Sequence, residues 1–166
     1  MQTADQLRRA DSILYSAVLV SHAVYAGLVL YLSSQRQPGA EPTVSLAIPL
    51  CAIAIAAAGG ALAIDSVGFR PSQISRWIDA AKQESSDREV LIRSLAQRTM
   101  STSILRWALT GMASLMGVMA SMLGSLPQIQ SLMLVALGAL THLYCRPKLG
   151  SVIDQLEALL PPARNA

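Results

Sequence analysis

The sequence predicts an all-α integral membrane protein: four transmembrane helices arranged as two hairpins, each followed by a cytoplasmic interfacial amphipathic helix. Three observations predict it. The 166 residues are 52% apolar and only 14% charged, against about 25% charged in soluble domains. Four apolar runs of roughly 17–24 residues each match the ~20 that a helix needs to cross a bilayer. In lipid a backbone must satisfy its own polar groups, so these runs are expected to be helices. Finally, the basic residues gather in three of the five segments outside the runs.

Taken in order, a short polar lead carries Arg8 and Arg9 before span one at residues 12–32. That run is too long for the apolar part of a cleavable signal, and no small-residue cleavage site follows it. A turn-rich connection with Arg36, Pro38, Gly39 and Pro42 leads to span two at 44–67. Together they make the first hairpin, 12–67. Arg70-Pro71 ends it, because proline cannot continue a helix ladder.

The linker at 72–99 holds Arg76, Lys82, Arg88, Arg93 and Arg98 beside Asp79, Glu84, Asp87 and Glu89. Ile74, Trp77, Ile78 and Ala81 recur at helical spacing, with Ser72 as the expected N-cap. That pattern predicts a surface-lying helix anchored in the headgroups by Trp77, Ile74 and Ile78. Ser86 and Glu89 resemble a capping box. It would open a second helix through Leu91, Ile92 and Leu95, continuous with span three. The second hairpin, 102–145, joins span three (102–123) to span four (128–145) through Gly124-Ser125-Leu126-Pro127. The tail, 146–166, repeats an apolar stripe: Leu149, Val152, Ile153, Leu156, Leu159 and Leu160. Arg70-Pro71 precedes Ile78-Asp79 as Arg146-Pro147 precedes Ile153-Asp154, which suggests one parallel unit used twice.

Orientation follows from basic residues in the loops. Arg8 and Arg9, Arg70 and the linker's five, and Arg146, Lys148 and Arg164 face only Arg36 on the other side. Both termini and the linker are therefore expected in the cytoplasm of a bacterial inner membrane. The net charge of +3 reads through this placement and points to no nucleic acid.

Polar residues inside the spans are the candidate functional positions. Asp65, Arg106 and His142 fall at similar shallow depth. A carboxylate there needs a partner, and Arg106 or Arg70 supplies one. The cluster either pins spans two, three and four together or serves proton uptake. His22 lies near mid-span on one face with Tyr15 and Tyr25. A bis-histidine haem b through His22 and His142 needs both at one depth, and counting residues separates them by roughly 10 Å. A histidine bonded to a neighbouring hydroxyl or carbonyl is the simpler reading, with no cofactor.

Ala52, Ala56 and Gly60 on span two, and Ala113, Gly117 and Ser121 on span three, are small residues at four-residue spacing. Such faces let lipid-embedded helices approach closely, within one monomer or between subunits. Met112, Met116 and Met119 form a stripe suited to core, lipid or partner. Cys51 and Cys145 are expected near opposite faces as unpaired apolar fillers. No zinc spacing, phosphate loop, nucleophile elbow or catalytic carboxylate pair occurs, so no enzymatic activity is expected.

The double hairpin and the tripeptide Arg36-Gln37-Pro38 resemble the proteolipid (c-type) rotor subunits of ion-translocating ATPases. That resemblance implies an ion- or proton-conducting subunit, with Asp65, His142 and His22 as its polar path. The sequence departs from the family in having no mid-membrane carboxylate in spans two and four and no glycine-rich first span. Its Arg36 also falls on the outer side. Ile104-Leu105-Arg106-Trp107-Ala108-Leu109 and Arg146-Pro147 resemble uncharacterised bacterial four-helix membrane proteins, which implies the fold alone. The expected role is an accessory or scaffolding subunit, partnered by the bilayer and by other membrane subunits or itself. The other classes are the proteolipid-like conductor and a haem- or quinone-binding redox subunit.

Overall fold

The computed structural model describes residues 4–36, 46–84 and 87–159. All regular structure there is helical: α1 (Ala4–Ser34), α2 (Ala47–Gly68), α3 (Pro71–Glu84), α4 (Arg88–Met122), α5 (Gln128–Tyr144) and α6 (Leu149–Leu159). Four helical stretches are long and apolar enough to cross a membrane, which suggests a multi-pass membrane protein.

The helix limits differ from the sequence reading where local chemistry favours continuation. The polar lead is helical from Ala4, with Asp5 in the first turn, where a carboxylate complements the helix dipole. Pro71 both ends α2 and opens α3, so Ser72 is a helical residue and not the cap. Proline suits a first helical position because its fixed φ is already helical and its missing N–H has no partner there. The N-cap of α4 is Asp87, whose carboxylate accepts from Glu89 N at 2.9 Å; Ser86 lies outside the described residues. From that cap α4 runs 35 residues without a break, about 52 Å, joining the linker's second half to span three as expected.

This long helix is the axis of the molecule. α1, α2 and α5 pack along its C-terminal two-thirds, and α3 and α6 along its N-terminal third. Only the second hairpin is a packed pair. α1 and α2 make almost no contact with each other, because α4 and α5 stand between them. The α4–α5 pair approaches closely at two glycines. A Cβ on Gly117 would collide with Ser131 O and Val135, and one on Gly138 with Thr110 O and Ser114.

The faces also differ from expectation. α2 turns Ala47, Leu50, Ala54, Ala57, Ala58, Ala61 and Asp65 inward, against Ala113, Met116, Ala120 and Leu134. Ala52 and Ala56 are therefore exposed, and Gly60 is half-buried beside Leu109. An alanine helix is equally small all round, so spacing alone could not choose its face; Asp65, which must reach Arg106, does. On α4, by contrast, Ala113, Gly117 and Ser121 are all internal. Met116 is buried, while Met112, Met119 and Met122 are exposed. Cys51 and Cys145 are both free thiols.

The amphipathic helices do not turn their apolar faces outward. Ile74, Ile78 and Ala81 of α3 pack with Leu91 and Leu95 of α4 and with Val152 and Leu156 of α6. Ile78 is 1% exposed, so Ile74 and Ile78 are core residues of a three-helix cap and not headgroup anchors. The reason is competition for the same surface: burying an isoleucine against protein stabilises by about 1.5–3 kcal/mol relative to water, and α4 extends far enough to offer that surface. Trp77 is half-buried, edge-on to Phe69. On α6, Leu149, Val152, Ile153 and Leu156 are buried, whereas Leu159 is exposed. Polar contacts fix its position: Arg8–Asp154 at 2.6 Å and Arg88–Glu157 at 2.9 Å. The start of α1, the cap and the end of α5 thus share one end of the bundle.

Candidate functional site

One face of α4 carries a series of buried polar side chains from Thr99 to Ser121, broken only at Gly117 and Val118. Thr99, Ser103, Arg106, Thr110, Ser114 and Ser121 are each 0–2% exposed, at helical spacing. From Thr99 to Ser121 the seam is about 33 Å long, comparable to a ~30 Å hydrocarbon core. α1 presents the complementary face, on which Asp11, His22 and Val29 are buried and Tyr15, Val18 and Tyr25 half-buried.

At the cap end, Arg106 makes a hydrogen-bonded ion pair with Asp65. The guanidinium also donates to Arg146 O at 2.5 Å and lies 3.4 Å from Ser103 Oγ. It stacks over Phe69, 4.7 Å from the ring centroid. Lys148 Nζ stands 3.9 Å from the second Asp65 oxygen. One residue of α4 thereby ties α2 to the α5–α6 connection. Of the two expected partners for Asp65, Arg106 takes the role. Arg70 donates to Ser66 O instead.

Asp11 escaped the sequence reading. It is buried, and its carboxylate accepts from Leu149 N at 3.3 Å, so α1 caps the N-terminus of α6 across the fold. The signal was present: Asp11, Tyr15, Val18, His22 and Tyr25 repeat every three or four residues, one face of a helix. Reading Asp11 as part of a polar lead hid it.

His142 sits one turn deeper than Arg106 and does not touch the Asp65–Arg106 pair. Its Nε2 faces Tyr15 O at 3.0 Å. A carbonyl only accepts, so Nε2 donates to it; Nδ1 lies 3.2 Å from Thr110 Oγ1, whose own proton goes to Trp107 O at 2.7 Å. Tyr15 stacks on the imidazole at 4.5 Å, and Trp107 Nε1 donates to Cys145 O at 3.0 Å.

His22 meets His142, with ring centroids 5.3 Å apart and planes tilted by 56°. Counting residues had set them about 10 Å apart in depth. The gap closes because α1 and α5 run antiparallel and side chains lean toward the N-terminus of their own helix. The two imidazoles therefore converge. Ser21 donates to its own helix, at Val18 O; the hydroxyl that His22 meets is Ser114, 2.7 Å from Nδ1. Tyr25 lies edge-on to His22 at 6.4 Å. Three of the four ring nitrogens of this pair lie within hydrogen-bond distance of a protein atom, and His22 Nε2 has no partner among the described residues. A haem held by both histidines would have to break those bonds. No group of three or more His, Cys, Asp or Glu suited to a metal ion occurs among the described residues.

At the far end Ser121 meets Ser33 at 3.3 Å. Arg36 donates to Ser121 O and, at 3.3 Å, to Leu126 O. It thus covers carbonyls at the C-terminus of α4, where a cation is favoured. The turn beyond includes Gly124 at φ +67°, a left-handed conformation that suits glycine.

Chemically this arrangement locks helices together. Most of its hydroxyls and the ion pair bond within the bundle, while Asp11 Oδ1, His22 Nε2, Thr99 Oγ1 and Arg106 Nε are buried without a partner among the described residues. Compared with protein families, with curated proteins and with solved structures, the chain matches none.

Proposed function

We propose that this chain is a non-catalytic accessory or scaffolding subunit of a bacterial inner membrane, with both termini cytoplasmic, that joins other membrane subunits or itself through α2. The observation that supports this reading is the outer face of α2. Ala52, Ala56, Gly59 and Ala63 are exposed there in a single stripe, and a Cβ added to Gly59 would meet nothing within 4 Å. The comparable stripe on α4 is consumed inside the monomer, so the α2 stripe is the one left for another helix. In this reading the seam rigidifies the bundle. Exposed Arg9, Arg70, Arg76, Lys82 and Arg93 meet anionic lipid at the cytoplasmic surface.

Native mass spectrometry from lipid nanodiscs tests it. Wild type is expected above monomer mass, and Gly59→Leu or Ala56→Leu should return it to monomer without loss of helix content. A wild-type chain that is monomeric and copurifies with no other subunit refutes the proposal.

The convergence of His22 and His142 favours a second reading, a proton-conducting subunit in which Asp65, His142 and His22 form the path. Liposomes loaded with a pH-sensitive dye separate the two. A scaffold gives no flux above the lipid background; a conductor gives flux that His22→Phe abolishes.

A further inference from the structure

A groove of about 500 Å³ opens between the C-terminal parts of α2 and α5. Leu62 and Ala63 wall it on one side and Leu140 on the other, and all three are exposed. Ser66 and Tyr144 line the end nearest the charged cap, and tyrosine is an amphipathic ring that favours headgroup level. The Arg70 guanidinium is held at that same end, because its Nε donates to Ser66 O at 3.1 Å. Arg70 is exposed and makes no ion pair among the described residues, so its two Nη groups remain to donate. Arg146, exposed two residues beyond Tyr144, also has no acid partner among them. Asp65 is the only acid of α2 and α5. It is buried, paired with Arg106, and has Lys148 Nζ 3.9 Å from its second oxygen. The mouth of the groove is therefore cationic, and neither wall offers a carboxylate free to receive an ammonium.

We propose that this groove holds one anionic phospholipid, with an acyl chain along Leu62, Ala63 and Leu140 and its phosphate bonded by Arg70. A planar guanidinium with two Nη groups to spare matches a pair of phosphate oxygens. Charge selects the headgroup. Phosphatidylcholine carries a cation beside its phosphate, and that cation would meet Arg70 and Arg146 with no acid to offset it. Phosphatidylglycerol carries none, and basic pockets between helices at a membrane surface suit such anionic headgroups. The inference rests on the membrane placement proposed above. Only Ala63 is shared with the α2 stripe, so subunit contact at Ala56 and Gly59 is a separate matter.

The test is native mass spectrometry of the full chain in detergent, titrated with phosphatidylglycerol or phosphatidylcholine of the same acyl chains and reading the first lipid adduct. One basic contact is worth about fivefold in affinity for an anionic lipid. Phosphatidylglycerol should therefore bind wild type at least about fivefold tighter, and Arg70→Gln should cut that preference about fivefold. Leu140→Trp fills the groove and should weaken both lipids. Both positions are exposed, and helical ellipticity checks that both variants keep the fold. Arg93→Gln removes the same charge from the cap, about 20 Å along α4 from Arg106, and should leave the preference unchanged. Equal affinity for the two lipids overturns the proposal. So does a loss in Arg93→Gln equal to that in Arg70→Gln, which would mean diffuse surface charge, or undiminished binding to Leu140→Trp. An oligomer that Leu140→Trp dissociates would assign the groove to a second copy and overturn it as well. A chain that is monomeric and still prefers phosphatidylglycerol supports the lipid site and counts against the α2 contact alone.

Discussion

Replacing Asp65 by leucine leaves the Arg106 guanidinium fully buried with a carbonyl and a hydroxyl as its remaining polar neighbours. Removing one member of a buried ion pair costs about 3–5 kcal/mol, because the other charge stays without compensation. The reverse change, Arg106→Met, strands Asp65 less completely, since Lys148 lies 3.9 Å away at the rim. It also loses the bond to Arg146 O and the stacking on Phe69, the latter worth about 0.5–2 kcal/mol. Each single change should therefore destabilise by a similar few kcal/mol, for different reasons. The double variant Asp65→Leu/Arg106→Met removes both charges and leaves an apolar contact in a largely apolar bundle. Such replacements are often neutral, so it should cost less than either single change, which requires a coupling of at least about 3 kcal/mol. Reversible unfolding in bicelles, followed by helical ellipticity, measures all four corners of the cycle. If the two single changes prove additive, or each costs under about 1 kcal/mol, the pair is not what holds α2 against α4.

Other substitutions test the remaining joints. Gly138→Leu should prevent α4–α5 packing and leave no stable fold, whereas Gly59→Leu, on an open face, should change monomer stability by less than about 0.5 kcal/mol; the same unfolding assay compares them. Ile78→Ala should cost about 2–5 kcal/mol in the three-helix cap, read as faster amide exchange in α3 and α6 while α2 and α5 stay protected. Asp11→Ala removes the cross-fold cap of α6 and should cost about 0.5–2 kcal/mol, with the exchange of Leu149 N and its neighbours rising first. Exchange confined to α1 would show that Asp11 does not hold α6.

Much of this was legible beforehand where a single chain segment carried the information. The limits of α5 and the continuity of α4 follow from apolar runs and from the absence of a breaker between Leu91 and Thr102. That Asp65 needs a cation was readable from depth, since an unpaired carboxylate in lipid is costly; the choice of Arg106 over Arg70 came only with the packing. The His22–Ser114 bond was not readable. Any of several serines on α4 fits by depth, and only the rotation and offset of two helices selects one. The cap was misread for a related reason. An amphipathic stripe is the same signal whether its apolar side meets headgroups or another helix, and α3 found Leu91 and Leu95 within reach.

The sequence by itself determined how many helices there are, that four are apolar enough for lipid, and which end of them is basic. Those properties depend on composition and period, which local residues fix. The tertiary structure alone decided which way each helix turns. In α2 every face is alanine-like, so the choice fell to Asp65 and its distant partner. In α1, Asp11, Tyr15 and His22 acquired roles only when α4, α5 and α6 brought a serine hydroxyl, a second imidazole and a helix N-terminus to meet them.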